Sequence, residues 1–274
     1  MTAPPPSPSL HPGLASLLDR VGDRQRQEFG HVVSDVKSDG SLITACDRWS
    51  DAALVSGLAE LYPADGVLSE EGERRVPATR AYWVVDPLDG TTNFAAGIPY
   101  WAISMARFED GRPVLAVLDV PPLRQRIVAV RGQGAWRNGK PLLPPSRQDP
   151  TSSCASLCSR SIGVLQKLPD RRFPGKIRLL GVASLNLVSV AMGQTVAALE
   201  ATPKIWDLAA AWLVLTELGC PVRWLQISPE RLTPGSDLSA ADFPVLVADR
   251  PETLQLFLPW GEALLMDNPA LPAA

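Results

Sequence analysis

Apolar residues along 13–33 recur at Leu14, Leu17, Leu18, Val21 and Phe29, with Arg and Glu opposite, which predicts one amphipathic helix. Val36–Asp47 (V-K-S-D-G-S-L-I-T-A-C-D) predicts a hairpin turning at Asp39-Gly40 and running into a helix, and Asp51–Leu61 a further amphipathic helix. Gly66–Leu68 is a short apolar strand that ends in Ser69-Glu70-Glu71-Gly72. Tyr82–Val85 is an apolar run stopped by proline and glycine, which predicts a buried strand ending in a turn. Trp101–Phe108, Val114–Val120 and Arg126–Val130 predict successive strands, the first two joined as an antiparallel hairpin by Asp110-Gly111. Gly132–Lys140 predicts another hairpin.

Beyond a linker over Leu143–Pro150 the pattern changes to alternating strands and helices. Strands are expected at Lys176–Leu180, Val196–Glu200 and Phe243–Ala248. Helices are expected from Gly181 to Met192, from Ile205 towards Gly219, and over Pro251–Leu265. The chain thus divides into a proline-rich tail (1–12) expected to be disordered, an N-terminal half (13–145) and a C-terminal half (151–274).

Composition narrows the chemistry. The 274 residues are 46% hydrophobic, enough for a substantial core, and the net charge of −3 gives no polybasic signal for nucleic acid or an anionic membrane. No run approaches the roughly 18 apolar residues of a membrane span, and no Lys or Arg precedes Arg20, so neither a membrane segment nor a secretory peptide is expected. The expected location is the cytoplasm. The four cysteines form no C-x-x-C pair and read as reduced thiols. Only two histidines occur, His11 and His31, which argues against a zinc cluster and against Ser-His-Asp chemistry. Catalysis, if present, falls to carboxylates and metal.

The stretch Tyr82–Phe94, Y-W-V-V-D-P-L-D-G-T-T-N-F, concentrates that chemistry. Pro87 holds Asp86 extended, Gly90 permits a tight turn, and Thr91-Thr92-Asn93 read as a capped helix start whose free N–H groups suit a phosphate. Asp86 and Asp89 beside such a turn would repel a phosphate unless a hard cation lay between them, and oxygen ligands are what Mg²⁺ prefers. A bare D-P-x-D-G turn would be only a solvated turn. The longer string D-P-L-D-G-T-T-N-F is far more specific and resembles the first signature of the inositol monophosphatase family.

Other segments extend the resemblance over about residues 14–265. Lys37–Asp47 is similar to the family's K-x-D-x-x-x-x-T-x-x-D segment, Ser69-Glu70-Glu71 to its S-E-E, and Arg178–Ser184 to its R-x-x-G-[SA]-A-A stretch, with Val182 at a usually small or polar position. Trp206-Asp207-Leu208-Ala209-Ala210 resembles the second signature. The resemblance implies a mixed α and β chain folded as a layered αβαβα sandwich, its N-terminal half carrying an antiparallel sheet and the site lying between the halves. It implies two or three Mg²⁺ ions on Glu70, Asp86, the Leu88 carbonyl, Asp89 and Asp207. Water oriented by Glu70 and by Thr91, itself held by Asp47, would attack phosphorus. Substrate contacts would come from Lys37, Gly90, Thr91, Thr92, Gly181, Ala183 and Glu200. The implied reaction is hydrolysis of a small polyol or sugar phosphomonoester, foremost inositol monophosphate, by a homodimer.

Other substrates of related branches are fructose 1,6-bisphosphate, histidinol phosphate and 3′-phosphoadenosine 5′-phosphate. A non-catalytic regulatory member on the same fold is a second reading. Cys154–Arg160 has the C-x5-R spacing of cysteine-dependent phosphatases but lacks their glycines. Gly132-x-Gly134 lacks the third glycine and following helix of a nucleotide loop and reads as structural.

Overall fold

Helix α1 (Pro12–Glu28) starts with Pro12 in its first turn, where the ring pre-sets φ and no N–H is needed. A computed structural model describes residues 10–37, 40–146 and 149–266, so most of the expected tail, and Asp39 of the expected turn, lie outside the described residues. The stripe Leu14, Leu17, Leu18 and Val21 is buried as expected, but the helix ends at Glu28 instead of near Val33. Phe29 leaves the helix to stack on Trp101 at 4.7 Å, with Phe94 5.8 Å away, so aromatic packing overrides the helical run. Strands β1 (Ser34–Val36) and β2 (Leu42–Thr44) pair antiparallel. Helix α2 (Ala45–Leu61) runs without a break from Thr44, whose capping box with Asp47 starts it well before Asp51.

Seven strands follow: β3 (Gly66–Ser69), β4 (Ala81–Asp89), β5 (Ala102–Glu109), β6 (Arg112–Val120), β7 (Gln125–Val130), β8 (Gly134–Arg137) and β9 (Lys140–Pro141), with α3 (Thr91–Ala95) between β4 and β5. They lie in one sheet in sequence order. The expectation of an antiparallel sheet needs one correction: β3 and β4 are parallel. Residues 70–80 carry the chain back along the sheet before β4 starts, so a tight hairpin is not the connection here.

The second half supplies β10 (Cys154–Leu157), α4 (Val164–Lys167), β11 (Lys176–Arg178), α5 (Ala183–Ala191), β12 (Ala197–Glu200), α6 (Ile205–Glu217), β13 (Val222–Trp224), β14 (Val245–Ala248) and α7 (Pro251–Leu265). Its five strands are ordered β11-β10-β12-β14-β13, with β10 parallel to both neighbours and β14 antiparallel to both of its own. The strands β10 and β13 and the short α4 carry no strong sequence period and were not expected as elements.

The apolar faces explain the stacking. Leu14, Leu18 and Leu54 pack with Trp83, Val85 and Ile103 on one face of the seven-stranded sheet. Val84, Ala106 and Leu118 on its other face meet Leu185, Val188, Leu208 and Leu215 of α5 and α6, which in turn meet Ala198 and Val247 of the second sheet. Leu157, Leu199 and Leu246 pack against Phe257 and Trp260 of α7. Alternate faces of each strand therefore serve different cores, and the result is a five-layer αβαβα stack. No helix among the described residues is long and apolar enough to cross a membrane.

Candidate metal and phosphate site

Strand β4 does not stop before Pro87, as its local sequence suggests, but continues to Asp89. Its pairing with β5 is irregular between Asp86 and Asp89. In a regular strand those residues, three apart, would face opposite sides. The irregularity turns them to one side, where their carboxylate oxygens and one of Asp207 all lie within 4.8 Å of each other. The Leu88 N–H donates to Asp86 Oδ1 at 2.9 Å, and the Pro87 carbonyl, taken out of the ladder, accepts from Gln25 Nε2 at 2.8 Å.

Asp207 comes from the first turn of α6, where its Oδ2 accepts the Lys204 N–H at 2.7 Å. Ser104 Oγ of β5 donates to the Trp206 carbonyl at 3.1 Å and ties this turn to the sheet. Asp89 reaches the other central helix: the Ser184 and Ala183 N–H groups at the start of α5 donate to it at 2.7 and 3.3 Å.

Glu70 follows β3, its N–H donating to the Val85 carbonyl at 3.1 Å. Its carboxylate stands outside the aspartate triad and accepts from Lys37 Nζ at 2.9 Å, while the same ammonium also pairs with Glu71. Lys37, expected to face phosphate, is thus engaged by the two glutamates. Asp47 is 1% exposed; Thr44 donates to its Oδ2 through both N–H and hydroxyl, and Thr91 Oγ1 donates to its Oδ1 at 2.7 Å. The Leu88 carbonyl lies 3.1 Å from the same Thr91 hydroxyl.

The turn after Asp89 differs in one respect from the sequence reading. The cap of α3 is Gly90 in the left-handed region (φ +101°), with no side-chain cap from Thr or Asn. A Cβ at Gly90 would also meet Val182 Cγ2 at 2.8 Å, so the turn requires glycine twice over. Asn93 bridges instead, donating to the Tyr100 and Leu180 carbonyls at 3.0 and 2.8 Å. Thr92 is exposed at the mouth of this turn.

Electrostatics follow from packing so many acids together. Burial, then the charges of Glu70, Asp89 and Asp207, push the Asp86 carboxyl well up; burial, then Asp89 and Glu70, do the same to Asp207. Burial raises Asp89 to about 6 against the opposing hydrogen bonds from Ser184 and Ala183. Burial also raises Glu70 in spite of Lys37. Such a cluster is stable as carboxylates only with added positive charge, and Lys37 is already taken. Three carboxylate oxygens within 4.8 Å, those of buried Asp86 and Asp89 and of half-buried Asp207, are all hard donors and fit a divalent cation such as Mg²⁺.

Beside Asp89 and Asp207 opens a cavity of about 190 Å³. Gly181, Val182 and Ala183 form one wall, and Glu200, Thr202 and Pro203 another. Glu200 is 3% exposed, accepts from Asn186 Nδ2 at 2.8 Å, and burial pushes its carboxyl up to about 8. Sequence reasoning missed Asn186, Arg160 and Thr202, which also line this cavity. Only the C-x5-R spacing drew attention to Arg160, and for a different chemistry. That chemistry is excluded by the fold: Cys154 opens strand β10, whose backbone is paired to β11 and β12 and cannot wrap an anion. A larger cavity of about 410 Å³ lies against α1, where Arg26 pairs with Asp23, and Arg126 with Asp19 and Asp119.

A sequence profile of the inositol monophosphatase family matches residues 14–250. The chain is 34% identical over 218 residues to a histidinol-phosphatase of Mycobacterium tuberculosis, covering 74% of this chain and 83% of that one. It is 31% identical over 233 residues to the Nus factor SuhB of Xylella fastidiosa, covering 82% and 79%. The solved structure of a Thermotoga maritima IMPase superposes with a TM-score of 0.77 over 91% of this chain and 95% of that one, and at 24% identity this speaks to the fold. The match to the family profile runs through both acid-bearing segments, and with it the chain belongs to the inositol monophosphatase family of metal-dependent phosphatases.

Proposed function

We propose that the protein hydrolyses a small polyol or sugar phosphomonoester with Mg²⁺ as cofactor, inositol monophosphate being the foremost substrate within that class. The observation that carries this is the convergence of Asp86, Asp89 and Asp207 within 4.8 Å. Roughly two or three Mg²⁺ held by these acids, Glu70 and the Leu88 carbonyl would neutralise phosphate charge, activate the attacking water and stabilise the leaving alkoxide.

The chain's own residues supply the rest. Thr91 has one hydroxyl proton and two acceptors in reach, Asp47 Oδ1 at 2.7 Å and Leu88 O at 3.1 Å. Its lone pairs are therefore free to accept from water and orient it towards phosphorus, while Asp47, fixed by Thr44, fixes the rotamer. Glu70 takes the water's proton. The N–H groups of Gly90, Thr91 and Thr92, unpaired within the first turn of α3, hold phosphate oxygens. Lys37 sets the charge of Glu70. Gly181, Ala183 and Glu200 bound the space for the alcohol, between the halves 13–145 and 151–274. A homodimer working in the cytoplasm accompanies this reading.

The test is release of inorganic phosphate from inositol 1-phosphate, fructose 1,6-bisphosphate, histidinol phosphate and 3′-phosphoadenosine 5′-phosphate, with and without Mg²⁺. Magnesium-dependent release that disappears in Asp89→Asn and persists in Cys154→Ser supports the reading. Release that survives Asp89→Asn at saturating Mg²⁺ overturns it. A regulatory role is the second reading, favoured by the relative named a Nus factor. It predicts folded protein that releases no phosphate and shows no mutual enhancement of Mg²⁺ and phosphate binding by calorimetry.

A further inference from the structure

The lining of the 190 Å³ cavity carries one guanidinium, that of the exposed residue Arg160. Its residue follows β10 in a short 3-10 turn, and its Nη1 donates to Thr202 Oγ1 at 2.7 Å, so the head group lies across the cavity wall. Among the described residues, no carboxylate lies within ion-pair distance of it, although Asp89, Glu200 and Asp207 line the same cavity. Glu200 is turned to Asn186 instead. The amide oxygen of Asn186, at a residue 1% exposed, has no hydrogen-bond donor. A buried acceptor without a partner in a cavity wall marks a place where a ligand hydroxyl or water belongs.

We propose that Arg160 is a specificity residue that selects phosphomonoesters whose alcohol carries a second anionic group, such as another phosphate or a carboxylate, together with a hydroxyl for Asn186. This rests on the phosphatase reading above and narrows its substrate class, moving inositol monophosphate, whose ring carries no second anion, behind sugar phosphates that do. The reasoning is one of charge. The acids nearest the scissile phosphate would be matched by the cations they would hold, and Glu200 is hydrogen-bonded within the wall. The guanidinium is the charged group left to address the alcohol side. Its planar donors suit phosphate or carboxylate, and an ammonium in the same place is repelled.

Three esters and three proteins test this. Fructose 1,6-bisphosphate and fructose 1-phosphate differ only in the second phosphate, and histidinol phosphate brings an ammonium. Wild type, Arg160→Met and Arg160→Lys are compared at saturating Mg²⁺. The expected preference of wild type for the bisphosphate over the monophosphate collapses in Arg160→Met by about 10- to 100-fold, the usual range for a charge-assisted hydrogen bond, and through KM rather than kcat. Arg160→Lys keeps part of it. Hydrolysis of histidinol phosphate improves in Arg160→Met, an opposite sign that mere structural damage would not produce. An unchanged ratio of bisphosphate to monophosphate overturns the assignment, as does an equal loss on all three esters. If wild type hydrolyses none of these, nor inositol 1-phosphate and 3′-phosphoadenosine 5′-phosphate, the phosphatase reading fails by itself. The Arg160 assignment is then read from calorimetric Kd values for the same pair, where an equal Kd ratio in wild type and Arg160→Met overturns it.

Discussion

The backbone N–H of Ser184 donates to Asp89 Oδ2 at 2.7 Å, so a carboxylate at the end of a sheet strand caps a helix from the other half of the chain. The helix start and the acid satisfy each other: α5 has no cap from its own Val182, and a negative charge suits the positive end of its dipole. The same bond fixes the orientation in which Asp89 meets Asp86 and Asp207.

Asp89→Asn therefore has two opposed effects on stability. Its amide NH₂ cannot accept one of the two helix N–H groups, a loss of about 1 kcal/mol. It also removes one charge from a repelling triad. The expected net change in the melting temperature of protein stripped of metal with EDTA is within about 4 °C of wild type. Phosphate release is expected to fall by at least about a hundredfold. The melting shift on adding Mg²⁺ should shrink as well. A variant that fails to fold would show that the cap matters more than the repulsion.

Protons and metal compete for the triad. Asp89 is raised in the folded protein to about 6, so the folded state holds its proton to higher pH than the unfolded chain does. Stability in EDTA should thus fall as pH rises from about 4 towards 6. Glu200, raised to about 8, extends the decline. Mg²⁺ binding requires the deprotonated acids, so its apparent affinity should rise over the same range, and the Mg²⁺-induced shift in melting temperature should be larger at pH 8 than at pH 5. Thermal unfolding at several pH values, with EDTA or Mg²⁺, checks both slopes.

Thr91→Val keeps the shape of the residue and removes the hydroxyl that bonds Asp47. A loss of about a hundredfold or more in kcat is expected, with Mg²⁺ affinity nearly unchanged, since Thr91 offers the metal no side-chain charge. Thr91→Ser should restore most of the rate. Steady-state kinetics with calorimetric Mg²⁺ titration separates the two quantities.

Gly90→Ala meets both a left-handed backbone (φ +101°) and Val182 Cγ2 at 2.8 Å. The expected cost is about 1–3 kcal/mol, with activity lost as the turn shifts. Val182→Ala removes the collision and leaves the backbone strain, so the double variant should be more stable than the sum of the single effects allows. Urea denaturation of the four proteins measures that coupling.

Much of the site was legible because its chemistry is local. Thr44 and Asp47, three residues apart, form a capping box wherever a helix starts there, and Gly90 marks a turn by its backbone freedom alone. Gln25 gave a weaker signal: it occupies the next position of the apolar stripe Leu18, Val21, and is buried because Pro87 O and Trp101 Nε1 use both ends of its amide. A polar residue on an apolar face asks for such partners. The Thr91-Thr92-Asn93 segment reads locally as a capped helix start, yet Asn93 donates to carbonyls that only the fold brings near.

By itself the sequence determined which acidic and hydroxyl groups are candidates for the chemistry, where strands and helices begin near them, and which family signatures they form, because these depend on neighbours a few residues away. The tertiary structure decided that β4 breaks register between Asp86 and Asp89, that Lys37 is taken by Glu70 and Glu71, and that Arg160 reaches the cavity unpaired by any described carboxylate. Each of these depends on a contact between distant segments, set by how whole layers pack and by which charges burial leaves unmatched. No local period or spacing encodes that balance.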